Sequence, residues 1–130
     1  MARVLLIEDD VAVSAALRGE LVALGHSVRV CPSAEIGLDE AEGFAPAVVL
    51  LDLHLPGRGG LSVLPDLLAI SSAPAIAVIT AAPTAQNAMD ALALGAQAHL
   101  SKPLEEGALE ELLGRLLRAK ASPDPGASPE

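Results

Sequence analysis

The sequence predicts an α/β domain in which five parallel strands form a doubly wound sheet flanked by five helices. Two observations lead to this fold class. Short aliphatic runs alternate with longer segments of helical periodicity through most of the 130 residues. Several of these runs are continuously apolar, which is typical of strands buried on both faces of a parallel sheet. The connections are too short for anything but right-handed crossovers, so the chain reads as five βα units in series.

The five strands are predicted at the aliphatic runs, which are residues 4–7, 27–31, 47–51, 75–80 and 98–101. The first helix, 11–24, has leucines at helical spacing and Gly25 as its C-terminal stop. Ser33 caps a second helix that runs to about residue 42, and Thr84 caps a fourth that reaches residue 94.

Two helices carry further expectations. A third helix, 60 to about 71, contains Pro65, which a helix tolerates only in its first turn or as a kink. The fifth helix is predicted over 104–120, with Glu105 and Glu106 in its first turn, where the helix dipole favours acids. We therefore expect one domain over residues 1–120. Residues 121–130 are rich in Pro, Ser and Gly and are predicted to be a linker or disordered tail.

Composition excludes several classes of function. Seventeen acids against eight bases, without clustered Lys or Arg, argue against direct nucleic-acid binding by this domain. A single aromatic residue leaves no platform on which bases could stack. One cysteine excludes an internal disulfide, and no apolar stretch approaches the roughly 20 residues that span a bilayer. With no signal-peptide layout either, the expected location is the cytoplasm, away from membranes.

Polar residues follow the predicted strands at one edge of the sheet, where ligands bind in such folds. Carboxylates occupy positions 8–10 after the first strand, and Asp52 ends the third strand. Thr80 ends the fourth strand, and Lys102 follows the fifth. Each residue alone also fits ordinary turn, helix-start or surface chemistry. Together they suit Mg²⁺, which prefers oxygen ligands, and a carboxylate that attacks a phosphoryl group.

The stretches VLLIEDD, LLDLHLPGRGG, VITAA and HLSKP resemble, in order and spacing, the receiver domain of response regulators. The resemblance covers residues 3 to about 118. It implies that Asp52 is the phosphoacceptor, supplied by a sensor histidine kinase or a phosphotransfer protein. It also implies a Mg²⁺ site formed by Asp9, Asp10, Asp52 and the main-chain carbonyl of His54, with Asp10 as the direct ligand and Asp9 acting partly through water.

The same resemblance implies a switch. Lys102 pairs with the phosphoryl group, Thr80 moves to hydrogen-bond it, and the bond before Pro103 is cis. His99 stands where the family usually has Tyr or Phe, a ring that swings inward when Thr80 moves. Either the His99 ring swings inward in the same way, or the ring-coupled part of the switch is weak. An equally good interpretation is that His99 is an ordinary half-buried strand histidine. The fourth helix, fifth strand and fifth helix are the implied output surface, which controls an output domain or pairs with a second copy in a homodimer.

Two alternatives remain open. One is a Mg²⁺-dependent phosphatase of the haloacid dehalogenase class, but in that class the nucleophile follows the first strand and a second Asp stands two residues on. Here the candidate nucleophile follows the third strand and the residue two on is His54. The other is a degenerate receiver that is not phosphorylated, which the full set of site residues disfavours. The sequence therefore favours a regulatory phosphoacceptor over an enzyme that acts on other substrates.

Overall fold

The computed structural model describes residues 2–55, 60–81 and 84–121, apart from the side chains of residues 85, 120 and 121. The described strands form one parallel sheet with the order β2-β1-β3-β4-β5, which confirms the predicted fold class. The strands are β1 Arg3–Ile7, β2 Ser27–Cys31, β3 Val48–Asp52, β4 Ala75–Thr80 and β5 Ala98–Ser101. The strand order reverses between β1 and β3, and a crevice at such a reversal is where ligands bind in open α/β sheets.

Five helices connect the strands: α1 Val11–Ala23, α2 Ala34–Phe44, α3 Gly60–Leu68, α4 Ala85–Ala93 and α5 Ala108–Ala121. Ser33 and Thr84 are the N-caps of α2 and α4, as predicted, and each accepts a hydrogen bond from the amide three residues on. None of the helices in the described part of the chain is long and apolar enough to cross a membrane.

The start of the fifth helix differs from the prediction. Helix α5 begins at Ala108, four residues later than predicted, because Gly107 adopts a φ of 83° that interrupts helical geometry. Its first-turn acids are therefore Glu110 and Glu111, not Glu105 and Glu106. Pro65 lies inside α3, past the first turn. Helix α5 extends to Ala121, and the rest of the predicted tail, 122–130, lies outside the described residues.

The core forms two layers because alternate strand residues point to opposite faces of the sheet. On one face Leu5 and Ile7 of β1 pack with buried residues of α2, α3 and α4. On the other face Val4 and Leu6 pack with leucines of α1 and α5. The middle strand β3 is buried along its whole length. The sheet therefore holds the polar residues at its carboxyl edge on a rigid aliphatic support.

Candidate functional site

Four strands bring the candidate site residues to the carboxyl edge of the sheet. Asp52 and Thr80 are the last residues of β3 and β4, while Glu8 and Lys102 directly follow β1 and β5. Main-chain hydrogen bonds continue the ladder past the strand ends and fix these positions. They run from Glu8 N to Cys31 O at 3.0 Å, from Leu53 N to Ile79 O at 3.1 Å, and from Lys102 N to Thr80 O at 2.8 Å.

The amino group of Lys102 joins two carboxylates at the centre of the site. Its Nζ lies 2.5 Å from Glu8 Oε1 and 3.3 Å from Asp52 Oδ2. Both acids are almost fully buried, with exposed fractions of 2% for Glu8 and 3% for Asp52. The lysine therefore compensates charge that would otherwise be costly to hold away from water.

The electrostatics of this pair follow from burial and contact. Burial raises the pKa of Glu8 above its usual range, and the hydrogen bonds from Lys102 and from the Asp10 amide only partly oppose that rise. Burial alone would lower the pKa of Lys102, but the hydrogen bond to Glu8 and the charge of Asp52 raise it. The lysine therefore stays charged at neutral pH.

Asp10 makes a helix-capping hydrogen bond in this structure. Its Oδ1 accepts a hydrogen bond from Val13 N at 3.0 Å, so its side chain is the N-cap of α1. Glu8 is the acid that turns inward, and its Oε2 accepts from the Asp10 amide at 3.1 Å. The structure thus places Glu8, and not Asp10, beside Asp52. The sequence offered a signal for this, since a helix beginning at Val11 makes Asp10 its capping residue.

The residues that fit a cation are Glu8, Asp9 and Asp52. One carboxylate oxygen from each lies within 4.8 Å of the others. Asp9 is exposed and can reach a hydrated ion, whereas the other two acids are buried. Hard oxygen donors at this separation suit Mg²⁺, which keeps several waters when it binds proteins. This donor set therefore fits a divalent cation, while the role of Asp10 as a metal ligand stays a prediction.

The loop after β3 begins with a turn around Asp52. The amide of His54 donates to Asp52 Oδ1 at 2.9 Å, which orients the carboxylate, and the side chain of His54 is exposed. Helix α3 starts close to the main chain of Asp52. A Cβ on Gly60, the first residue of α3, would stand 2.6 Å from the main-chain oxygen of Asp52. Only glycine fits there without a shift in the backbone that carries the carboxylate.

The remaining predicted residues lie on the β4–β5 side of the site. Thr80 is fully buried and is paired with Ser101 in the sheet, and the Lys102–Pro103 peptide bond is cis. His99 is half-buried two residues before Ser101, on the strand that leads to the site. The structure thus brings Asp9, Asp52, Thr80 and Lys102 to one edge.

The profile of the response regulator receiver domain matches residues 4–114 of the chain. The chain belongs to the response regulator receiver family. Members of this family are regulatory components of two-component signalling.

Curated relatives agree with this membership. The KDP operon transcriptional regulatory protein KdpE of Escherichia coli is 36% identical over 128 residues, covering 96% of this chain and 56% of KdpE. The response regulator MprA of Mycolicibacterium vanbaalenii is 35% identical over 127 residues, covering 96% of this chain and 54% of MprA. The chain therefore spans about half the length of these relatives.

Solved structures show the same receiver fold. A two-component response regulator from Clostridium difficile has a TM-score of 0.88 at 21% identity, covering 94% of this chain and 100% of that one. The BeF3-activated N-terminal receiver domain of Klebsiella pneumoniae RstA has a TM-score of 0.83 at 26% identity, covering 89% of this chain and 98% of that one.

A cavity of about 700 Å³ lies beside the site of this receiver domain. It runs between α1 and the segment that follows β5. Val13, Ala16 and Leu17 line it on one side, and Lys102, Pro103 and Leu104 line it on the other. Among the described residues that line it, Lys102 and Glu20 are the charged ones. A mainly apolar depression thus adjoins Lys102 on the α1 side of the site.

Proposed function

We propose that this receiver domain accepts a phosphoryl group on Asp52 from a phosphohistidine of a sensor histidine kinase or phosphotransfer protein, in the cytoplasm. The observation that carries the proposal is the contact of Lys102 with both Asp52 and Glu8 at the carboxyl edge of the sheet. A buried carboxylate beside a fixed ammonium is arranged to receive a group with several anionic oxygens.

The transfer forms one bond and breaks one. A carboxylate oxygen of Asp52 attacks phosphorus, the bond from phosphorus to the donor's imidazole nitrogen breaks, and that nitrogen keeps the electron pair. An acyl phosphate on Asp52 results. Lys102 then has phosphoryl oxygens as well as Glu8 to neutralise, and the Thr80 hydroxyl can donate to one of them. The domain would catalyse only its own phosphorylation and the later hydrolysis.

A divalent cation completes the proposal. Glu8, Asp9 and Asp52 would hold Mg²⁺, together with the main-chain carbonyl of His54. When bound, the ion supplies positive charge next to the phosphoryl oxygens. Asp9 would contribute the exposed ligand, and Glu8 would keep Lys102 in place at the same time. Asp10 would act only as the helix cap.

The phosphodonor would dock over the cavity between α1 and the segment after β5. Apolar side chains border this depression, and Val11 at the start of α1 is 80% exposed beside Asp9 and Asp10. Exposed apolar groups around a reactive carboxylate suit a protein partner more than a small polar substrate.

The output would pass through the surface formed by α4, β5 and α5. On α4 the side chains of Met89 and Leu92 are 63% and 51% exposed, so apolar area is available for a partner or a second copy of the domain. Relatives such as KdpE are about twice as long and are transcriptional regulatory proteins. We therefore propose that phosphorylation controls an output domain or partner, with a homodimer through this surface as one form of that control.

Intact-mass spectrometry after incubation with acetyl phosphate and Mg²⁺ tests the phosphoacceptor. Wild type should gain one phosphoryl adduct, Asp52→Asn should gain none, and the exposed control Asp39→Asn in α2 should behave as wild type. Chelation of Mg²⁺ should abolish the adduct. An Asp52→Asn protein that is labelled as fully as wild type would move the phosphoacceptor elsewhere.

A further inference from the structure

His99 has a ring nitrogen in an unfavourable position. Its Nε2 is shielded from solvent and has no hydrogen-bond partner among residues 2–55, 60–81 and 84–121. A buried polar atom without a partner is destabilising, since it has lost its contact with water and gained nothing in return. The residue as a whole is only half-buried, so part of it is exposed to solvent.

The ring shares a face of the sheet with Thr80. His99 pairs with Val78 in the parallel ladder, and Thr80 pairs with Ser101, two residues further along both strands. Paired residues, and residues two apart in a strand, point to the same face. Val78 belongs to the core that packs under α2, α3 and α4, so His99 and Thr80 lie on the α4 side. A change in either side chain therefore alters the space available to the other.

The charges near this face offer little compensation to a second proton on the ring. Strand β4 has no titratable side chain from Ala75 to Thr80. The only charged residue of α4 is Asp90, whose carboxylate accepts from Gln86 Nε2 at 2.7 Å, and Asp66 of α3 is exposed. After β5, the ammonium of Lys102 is engaged with Glu8 and Asp52.

We propose that His99 makes the α4–β5 surface respond to pH. The neutral ring stays under α4, because only one of its nitrogens then needs to donate. The doubly protonated ring has two donors, and at Nε2 no described residue can accept, so it turns to solvent and α4 adjusts to the vacated space. Coupling to phosphorylation rests on the proposed function. Movement of Thr80 toward a phosphoryl group would open room that the neutral ring can fill and the charged ring cannot.

A protein with one histidine isolates the effect. The chain has three histidines, so the variant His26→Asn/His54→Gln leaves only His99. Amide and imidazole NMR signals would be followed from about pH 8 to about pH 5, the range in which histidines titrate. In this background the amides of α4 and β5 should shift with the same midpoint as the His99 ring. With His99→Tyr or His99→Gln added, these shifts should be lost. If α4 stays still while His99 titrates, or moves equally in both His99 variants, the proposal is overturned.

Beryllofluoride loading with Mg²⁺ separates this proposal from the proposed function. At saturating beryllofluoride, the NMR signals of α4 in the single-histidine protein should be displaced less at about pH 5.5 than at about pH 8. With His99→Gln added, the displacement should be equal at both pH values. A displacement that is the same at both pH values in the single-histidine protein would refute the coupling to phosphorylation. Failure of beryllofluoride to perturb the Asp52 amide at any pH would refute the phosphoacceptor assignment, while the titration without beryllofluoride would still decide the role of His99.

Discussion

Lys102 makes its shorter contact with Glu8 and its longer contact with Asp52, at 2.5 Å and 3.3 Å respectively. The lysine is thus held mainly by an acid on β1's side of the site, and the carboxylate of Asp52 retains room for another partner. This division of contacts leads to the first two predictions.

Substitution of the three consecutive acids should separate metal ligands from the helix cap. Asp9→Asn should weaken Mg²⁺ binding on the order of tenfold or more, and Glu8→Gln should weaken it as well. Asp10→Asn should leave the affinity near that of wild type, because asparagine caps helices as well as aspartate does. Titration calorimetry measures all three. If Asp10→Asn lowers the Mg²⁺ affinity as much as Asp9→Asn does, Asp10 is a metal ligand.

Removing the lysine should destabilise the fold in a pH-dependent way. Lys102→Met leaves Glu8 buried without its cation and should lower the free energy of unfolding by about 1–3 kcal/mol at neutral pH. The folded-state pKa of Glu8 is already raised by burial and should rise further, so protonation favours the folded state. The deficit relative to wild type should therefore shrink as pH falls.

Urea unfolding at several pH values measures this effect. The matched control is Glu8→Gln/Lys102→Met, in which position 8 is neutral; its stability should recover less on acidification than that of Lys102→Met, because only Asp52 is then left without the ammonium. A Lys102→Met deficit that is constant with pH would show that the lost contact is not electrostatic.

His26 should contribute a second pH dependence at the opposite end of the sheet. The amide of Ala2 donates to its Nδ1 at 3.1 Å, and burial lowers the pKa of His26. Since the folded-state pKa lies below the unfolded value of about 6.5, this contribution is present at neutral pH and is lost as pH falls through that region. In His26→Asn, which keeps an acceptor that cannot be protonated, this loss should be absent. If the free energy of unfolding changes with pH in the same way in wild type and in His26→Asn, His26 is not the source of this pH dependence.

Most of the fold could be predicted, because strands buried on both faces leave continuous apolar runs and capping residues mark the helix starts. Ser33 and Thr84 are capping residues of this kind. The start of α5 was missed because the acids at 105 and 106 suit a helix N-terminus as well as a turn, and only the backbone at Gly107 decides between them.

The site was predictable as a set of strand ends, but not in every side chain. Sequence order places Glu8, Asp9 and Asp10 together, and it does not show which of them turns inward. In the structure the carboxylate of Asp10 accepts a hydrogen bond from the amide of Val13 and caps α1. Glu8 is the acid that turns inward. That Nε2 of His99 lacks a partner among the described residues could not be foreseen either, since this depends on how α4 packs on β5.

The thiol of Cys31 should react slowly in the folded protein. Burial chiefly, with a contribution from Glu40, raises its pKa to about 11. Little thiolate is therefore present near pH 8, and reagents also lack access to the side chain. Ellman's reagent should modify the native protein at least about a hundredfold more slowly than the urea-unfolded protein. Equal rates would mean that β2 opens readily at this edge of the sheet.

Gly60 should be intolerant of a side chain, in contrast to another helical glycine. Gly60→Ala would set a Cβ 2.6 Å from Asp52 O and 3.0 Å from Leu53 Cα, so the start of α3 or the end of β3 must shift. We expect a loss of about 1–3 kcal/mol in stability and slower phosphorylation. Gly19→Ala on the exposed side of α1 meets nothing within 4 Å and should stabilise the helix by about 0.5–1 kcal/mol. Thermal unfolding of both variants is the measurement, and a neutral Gly60→Ala would refute the close approach.

The Glu8–Lys102 contact joins residues 94 positions apart in the chain. Because β3 and β4 lie between β1 and β5 in the sheet, the contact requires these four strands to be assembled. A nascent chain that has not yet reached residue 102 would hold Glu8 and Asp52 together without a cation, and their repulsion would oppose docking of β3 against β1. The site thus matures late, when the last strand joins, and partly synthesised chains should be poor phosphoacceptors for any kinase they meet.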